Sequence, residues 1–151
     1  MLLTKDQQFL LSVLRETGWM RQDQVLPLMR LYDPAKVQSH CEAILRHLRY
    51  AGELISMDDG LICLAERRGK SADRAMLCAL DILLALASGP PIQLTSRVPP
   101  YKLCFLLERE GGRIDAFAVL PVEPGRESVT GILLTHQPQD VTVLLFLANL
   151  E

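Results

Sequence analysis

The chain has 151 residues, of which 49% are hydrophobic and 23% are charged. This balance allows a buried core and excludes a disordered chain. The net charge of −2 excludes a protein whose whole surface is basic, as a general binder of polyanions would be. Residues 1–70 hold ten Lys or Arg against nine Asp or Glu, and residues 71–151 hold six against nine. We therefore expect any nucleic-acid surface to lie in the first half.

No export, membrane or metal-binding segment is predicted. The amino end is too polar for a secretion signal, and the longest apolar run, residues 75–87, is too short to span a bilayer and contains Asp81. The cysteines lack the paired spacing that zinc requires. We expect a cytoplasmic protein without metal or cofactor, in which the four cysteines are small buried hydrophobic residues: Cys41, Cys63, Cys78 and Cys104.

Two short helices are predicted at the start of the chain. Thr4 is a suitable N-cap, Gln7 completes a capping box, and apolar residues then recur at helical spacing until Gly18. Residues 18–20 form a short extended connection. The second helix is expected to start after Asp23 as its N-cap and to tolerate Pro27 near its beginning.

A third helix is predicted over residues 34–50, with Asp33 as its N-cap and Pro34 at its first position. Its apolar residues repeat at the interval of one helical face and are expected to be buried: Val37, Cys41, Ile44, Leu45 and Leu48. Two short strands, residues 53–57 and 61–64, then flank Asp58-Asp59-Gly60. Asp-Gly between two β-prone runs predicts a hairpin.

Three helices followed by a hairpin resemble the winged helix-turn-helix family over residues 1–66. The resemblance is carried by the Asp33-Pro34 turn, by residues 47–55 (HLRYAGELI) at the end of the third helix, and by the Asp59-Gly60 turn. It implies a domain that binds double-stranded DNA with its third helix in the major groove. The acidic pair Asp58-Asp59 departs from the family, because a wing that holds phosphates usually ends in Lys or Arg.

The resemblance also implies which residues contact DNA. The candidates for the groove lie on the side of the third helix away from its buried stripe, and the hydrogen-bonding ones suit base edges: Lys36, Gln38, Ser39, His40, Ala43 and His47. Cations on and beyond this helix suit phosphates: Lys36, Arg46, Arg49, Arg30, Arg67 and Arg68. Between Pro34 and Ala51 there are three cations and one anion, Glu42, a local surplus of two positive charges.

Residues 71–151 are predicted to form one helix and a small, mainly antiparallel sheet, so the whole chain is expected to be α+β. Ser71 is the expected N-cap of a helix that runs to Ala87. Turn-forming segments then separate four predicted strands, which are residues 102–108, 114–121, 129–135 and 141–146. The apolar runs 79–87 and 141–150 exceed what so small a sheet can hide. They favour a homodimer formed through this half, or an effector site within it.

No catalytic motif is present, so we expect a non-catalytic DNA-binding protein that acts in transcription or as a replication accessory protein. Two alternatives remain open. Winged helices also serve as protein-interaction modules that do not bind DNA.

The strands around Asp115 are similar to the core of PD-(D/E)xK nucleases, with Glu123 or Glu127 as the second metal-binding acid, although the lysine of that motif is absent. The order of the two halves is similar to that of replication-relaxation proteins of bacterial mobile elements.

Overall fold

The computed structural model describes residues 2–135 and 140–147, and it is an α+β structure. Five α-helices and two β-sheets are formed within those ranges. The chain divides into two compact units, the first ending at Pro90 and the second starting at Pro91. The boundary predicted from the sequence lies earlier, between residues 66 and 71.

Three helices build most of the first unit: α1 is Lys5–Thr17, α2 is Gln22–Tyr32 and α3 is Gln38–Tyr50. The predicted capping box of α1 is confirmed. The N–H of Gln7 donates to the Thr4 hydroxyl, and the Gln7 side chain accepts the N–H of Thr4. α1 ends at Gly18, whose φ of 83° lies in the region that glycine tolerates best.

The starts of the other two helices differ from the predicted ones. α2 begins two residues earlier, with Arg21 at its N-cap, and Asp23 lies in its first turn. α3 begins four residues later than Pro34, because the Asp33 carboxylate accepts the N–H of Ala35 at 3.0 Å and holds this segment in a turn. Val37, which was expected in the buried stripe, therefore precedes α3 and is 44% exposed.

A three-stranded antiparallel sheet completes this part of the first unit: β1 is Trp19–Arg21, β2 is Leu54–Ser56 and β3 is Leu61–Leu64. The strands are ordered β1-β3-β2. The predicted β2–β3 hairpin is confirmed. The extended connection after α1 is itself a strand of the sheet, and all four residues of the central β3 are buried.

Helix α4, Arg74–Leu86, also belongs to the first unit. Its N-cap is Asp73 rather than the predicted Ser71, since the Asp73 carboxylate accepts the N–H of Met76 at 3.2 Å. Its apolar side packs against β1, α1 and α2, so the helix completes the core of this unit instead of joining the C-terminal sheet. Neither α4 nor any other helix in the described ranges is long and apolar enough to cross a membrane.

A buried amide joins α4 to the start of α2. Gln24 is 1% exposed, and its amide nitrogen donates to the Leu77 carbonyl at 2.9 Å and to an Asp81 carboxylate oxygen at 2.8 Å. Its amide oxygen accepts the N–H of Arg21 at 3.0 Å, and the Arg21 guanidinium donates to Asp81 at 2.7 Å. Both polar atoms of Gln24 therefore have partners, as a buried amide requires.

Four strands and a helix form the second unit: β4 is Gln93–Thr95, β5 is Leu103–Glu108, β6 is Ile114–Val122, α5 is Glu127–Leu134 and β7 is Val141–Leu147. The strands make one sheet in the order β4-β5-β6-β7. The first two pairs are antiparallel, whereas β6 and β7 are parallel. Phe105 and Phe117 are both buried and stack with their ring centroids 5.5 Å apart.

The strand predicted at residues 129–135 is wrong, since most of this segment is α5. β6 and β7 run parallel, and a parallel pair needs a crossover rather than a tight turn, so the chain between them forms a helix. β4 was not predicted, because three residues are too few to show an alternating pattern. The other three predicted strands are confirmed to within one residue. Residues 137–139 of the last predicted turn lie outside the described residues.

We predict that Gln24→Leu lowers the free energy of unfolding by about 2–4 kcal/mol, because it leaves the Arg21 N–H without its partner and removes the buried hydrogen bonds to the Leu77 carbonyl and to Asp81. Urea denaturation followed by circular dichroism measures the loss. Gln22→Leu, on the exposed side of the same helix, is the matched control and should change stability by less than about 0.5 kcal/mol. An equal loss in both variants would show that the buried amide contributes little.

Candidate nucleic-acid interface

The side of α3 that faces away from the core is the candidate interface. As predicted, four of its apolar residues are buried, and they fix the rotation of the helix: Cys41, Ile44, Leu45 and Leu48. With 3.6 residues per turn, the positions directly opposite form one exposed row: Ser39, Ala43, Arg46 and Tyr50. The buried residues therefore determine which side of α3 faces outward.

Tyr50 is the member of the outward row that the sequence analysis missed. Its side chain is 88% exposed, although aromatic rings usually contribute to cores and interfaces. Together with Ala43, Arg46 and His47 it lines a shallow depression of about 430 Å³. The helical phase could have identified it, since Tyr50 follows Ala43 by seven residues and so lies on the side opposite the buried stripe.

The flanks of the outward row carry the other residues that were expected to read bases. His40 and His47 share one flank, seven residues apart, and both are exposed. Gln38 is exposed on the opposite flank, where its amide donates to the Glu42 carboxylate at 3.4 Å. The predicted base-reading residues thus surround the row on both sides.

Arg49 connects α3 to the β2–β3 hairpin. Its guanidinium donates to the Ser56 hydroxyl at 2.9 Å, at the last residue of β2. The tip of the hairpin carries Asp58 and Asp59, and both are exposed. The hairpin therefore has a cation at the end of β2 and two carboxylates in the turn that follows it, and the carboxylates repel phosphate.

Lys36 is not part of the exposed surface of α3. Its ammonium lies 2.7 Å from a carboxylate oxygen of Asp6 in α1, and the two side chains are only 14% and 20% exposed. Arg30 supports the same turn, since its Nε donates to the Lys36 carbonyl at 3.0 Å. Lys36 and Arg30 thus make contacts that hold α1, α2 and the turn before α3 together, and the phosphate contacts expected of them stay a prediction.

The ion pair shifts the pKa of both its groups. Burial opposes the charge of Asp6. Hydrogen bonds from Lys36, the Thr4 hydroxyl and the N–H of Gln7 outweigh this burial and lower the pKa of the carboxyl below its ordinary value of 3.8. The hydrogen bond to Asp6 raises the pKa of Lys36 above its ordinary value of 10.5. Both groups are therefore charged at neutral pH, and because the charge of Asp6 balances that of Lys36, the local surplus around α3 falls from two positive charges to one.

The two arginines predicted to hold phosphates after the hairpin differ. Arg67 places its guanidinium 4.9 Å from the centre of the Trp19 ring, which is a cation–π contact. The same guanidinium lies close to Gly18, where a Cβ atom would meet it at 3.4 Å. Arg67 thus covers the ring of a tryptophan that is only 7% exposed, whereas Arg68 is exposed to solvent.

The acidic residues named for the nuclease similarity lie at different places in the second unit. Asp115 is the second residue of β6 and forms ion pairs with Arg109 at 3.4 Å and Arg113 at 3.1 Å. Glu123 follows the other end of β6, roughly 26 Å away at about 3.3 Å per residue, and Glu127 begins α5 beyond it. Within the described residues, no group of three or more His, Cys, Asp or Glu could hold a metal ion.

The prediction that the cysteines are buried is confirmed for two of them. Cys41 and Cys63 are buried, and burial raises the pKa of each thiol. Cys104 is partly exposed, and desolvation raises its pKa as well. Cys78 is exposed, contrary to the prediction, because it lies on the side of α4 opposite the buried Leu80.

The structure places six of the ten predicted DNA-binding residues on exposed positions of α3: Gln38, Ser39, His40, Arg46, His47 and Arg49. Three others contact the protein itself: Lys36, Arg30 and Arg67. Arg68 is exposed beyond the hairpin. No family model, curated protein or solved structure matches this chain.

We predict that Asp6→Asn lowers the free energy of unfolding by about 1–2 kcal/mol at pH 7, since it removes the charged partner of a mostly buried ammonium. The folded-state pKa of Asp6 is depressed. Its contribution is therefore fully present above the ordinary value of 3.8 and is lost as the pH falls through the folded-state pKa.

Urea denaturation at pH 7 and at pH 3 measures this dependence, and the gap between wild type and Asp6→Asn should be smaller at pH 3. Asp23→Asn is the control, because the side chain of Asp23 is 74% exposed in its ion pair with Arg21 and should contribute little at either pH. A gap for Asp6→Asn that does not change with pH would contradict this account.

Proposed function

We propose that the first unit binds double-stranded DNA as a winged helix-turn-helix domain, with α3 in the major groove. The observation that carries this proposal is the outward row of α3, which presents Arg46 and Tyr50 to solvent while buried residues hold the opposite side. The major groove is about 12 Å wide and admits one α-helix. We propose that the protein is a small non-catalytic regulator of transcription or a replication accessory protein.

The order of the elements supports this proposal. The first unit runs α1-β1-α2-α3-β2-β3, and a short turn separates α2 from α3. The hairpin follows α3 directly, and the hydrogen bond from Arg49 to Ser56 links the hairpin to the helix. A helix that enters a groove and a hairpin beside it can then contact one duplex together, which is the arrangement of a winged helix.

The side chains of the outward row suit different parts of a duplex. Ser39 lies in the first turn of α3, where helix-turn-helix proteins read base edges. Ala43 is small enough for close approach, and its methyl group suits the methyl of thymine. Arg46 suits a phosphate or the paired acceptors of guanine. Tyr50, at the end of the helix, suits a phosphate through its hydroxyl.

We predict that Arg46→Glu weakens duplex binding by roughly tenfold or more, because it replaces a phosphate-binding cation with an anion. Fluorescence anisotropy with a mixed-sequence duplex measures the affinity. Arg15→Glu is the matched control, since it makes the same change of charge on the exposed last turn of α1. Equal losses in the two variants would mean that net charge matters and the outward row does not.

The salt dependence tests the proposal independently of any substitution. The logarithm of the wild-type affinity should fall linearly with the logarithm of salt concentration, by about 0.9 for each phosphate contacted. Arg46→Glu should reduce this slope by about one contact. A wild-type protein that binds no duplex even at low salt would overturn the proposal.

We predict that Asp59→Lys strengthens duplex binding several-fold and steepens the salt dependence, because it converts a repulsive charge at the hairpin tip into a phosphate-binding one. The same anisotropy titration measures both effects. Glu110→Lys, an exposed position of the second unit, is the control for net charge. If both variants gain equally, the hairpin tip does not approach the duplex.

A protein-interaction module is the second candidate, and the hairpin tip is the observation that favours it. Asp58 and Asp59 repel phosphate, and an exposed tyrosine beside an arginine is the composition that protein interfaces favour. This alternative predicts no affinity for a duplex at low salt. It also predicts a protein partner whose binding is lost in Tyr50→Ala.

A further inference from the structure

Within the part of the chain that the structure describes, strand β7 is a long sheet edge without the usual protection. It has seven residues, pairs with β6 on one side, and is the last strand of the sheet among the described residues. Its sequence, VTVLLFL, contains no charged residue and no proline. A sheet edge presents a row of unpaired N–H and C=O groups, and natural proteins usually guard it with lysine, proline, a bulge or shortness.

The opposite edge of the same sheet is protected. β4 has only three residues, and Pro90 and Pro91 precede it by a few positions. A short edge strand next to prolines is an ordinary defence against pairing with another chain. Of the two edges within the described part of the sheet, β7 is therefore the one that is open to a further strand.

The side chains of β7 are also suited to pairing. Val143 and Leu145 lie on the sheet face of their β6 neighbours Ala118 and Leu120, and Leu145 is 48% exposed. Thr142 lies on the other face and is exposed as well. An added strand would cover apolar surface on one face and meet a neutral side chain on the other, and no charge would have to be desolvated.

We propose that β7 pairs with the β7 of a second copy of this chain and joins two sheets into one of eight strands. Identical edge strands related by a two-fold axis perpendicular to the sheet run antiparallel. With the axis beside the central Leu144, Val143 faces Leu145 and Thr142 faces Phe146, so no like charges oppose each other. The outward N–H and C=O groups of this edge are available to a further strand, and the sequence of β7 is compatible with pairing to itself.

The proposed function gives a second reason for a second copy. Helix-turn-helix proteins commonly bind as dimers, with one recognition helix in each of two half-sites about one helical turn apart. This reason rests on the proposed DNA binding, whereas the argument from the sheet edge does not. The apolar run 79–87, which the sequence analysis counted toward a dimer, belongs to the first unit, so the proposal depends on β7. Residues 148–150 of the other run lie outside the described residues.

Sedimentation equilibrium of the full chain tests the proposal. Wild type should form a dimer at micromolar concentration, and Leu145→Lys should raise the dissociation constant at least about tenfold, because two lysines would meet near the axis. Ile92→Lys is the matched control, since Ile92 is a 51% exposed apolar residue beside the opposite edge strand, and this variant should stay dimeric. Circular dichroism checks that each variant is folded.

Cross-linking tests the register even if Leu145→Lys does not fold. In a background with the exposed Cys78→Ser, Leu144→Cys should form an intermolecular disulfide under a mild oxidant such as oxidised glutathione. Residues directly opposite in antiparallel strands have Cα atoms about 4.5–5.5 Å apart, within the range of a disulfide. Val141→Cys is the control, because its copy would lie roughly 20 Å away along the paired strands.

Three outcomes would overturn the proposal: a wild-type monomer at tens of micromolar, a dimer that Leu145→Lys leaves unchanged, or cross-linking that is no stronger at position 144 than at position 141. A monomer whose β7 binds a strand of another protein would belong to the first outcome. None of these measurements uses DNA. If no dimer forms, the DNA-binding proposal is still tested by the anisotropy titration. If no duplex is bound, the dimer proposal is still tested by sedimentation and cross-linking.

Discussion

The hydrogen bonds of Gln24 hold together segments that are distant in the sequence. They join the first turn of α2 to the middle of α4, more than fifty residues later, and to the end of β1. Apolar burial holds these elements close but has no preferred direction, so many rotations of one helix against another would bury similar areas. A buried amide is satisfied in one arrangement alone. It therefore selects the rotation of α2, and α2 leads directly into the turn that positions α3.

The ion pair of Lys36 with Asp6 holds the turn between α2 and α3 in place. It attaches the turn before α3 to the first turn of α1, while Arg30 binds the backbone of that turn from α2. Both cations contact the protein itself, and the ion pair leaves little of the Lys36 side chain exposed. The outward row is consequently rigid but only weakly basic. The DNA binding that we propose for this surface therefore depends on shape and a few well-placed contacts more than on a strong electrostatic field.

Features decided by neighbouring residues could be predicted from the sequence. The capping box of α1, the hairpin around Asp58-Asp59-Gly60 and the buried stripe of α3 all depend on residues a few positions apart. Features that depend on residues far apart in the sequence could not be predicted. Nothing local links Lys36 to Asp6, and nothing in the apolar, β-prone sequence of α5 shows that its neighbouring strands are parallel and need a crossover. Tyr50 lies between these cases, because its position follows from helical phase but the importance of an exposed ring does not.

Trp19 is the single tryptophan of the chain and lies in the first unit, packed with Leu61, Cys63 and Leu77 and covered by the guanidinium of Arg67. Its indole N–H is buried and has no hydrogen-bond partner among the described residues. Its fluorescence is accordingly a built-in optical probe of that unit alone, without any label. The second unit contributes no tryptophan emission, so the melting of the two units can be told apart in one intact molecule by recording this emission beside the far-ultraviolet signal of the whole chain.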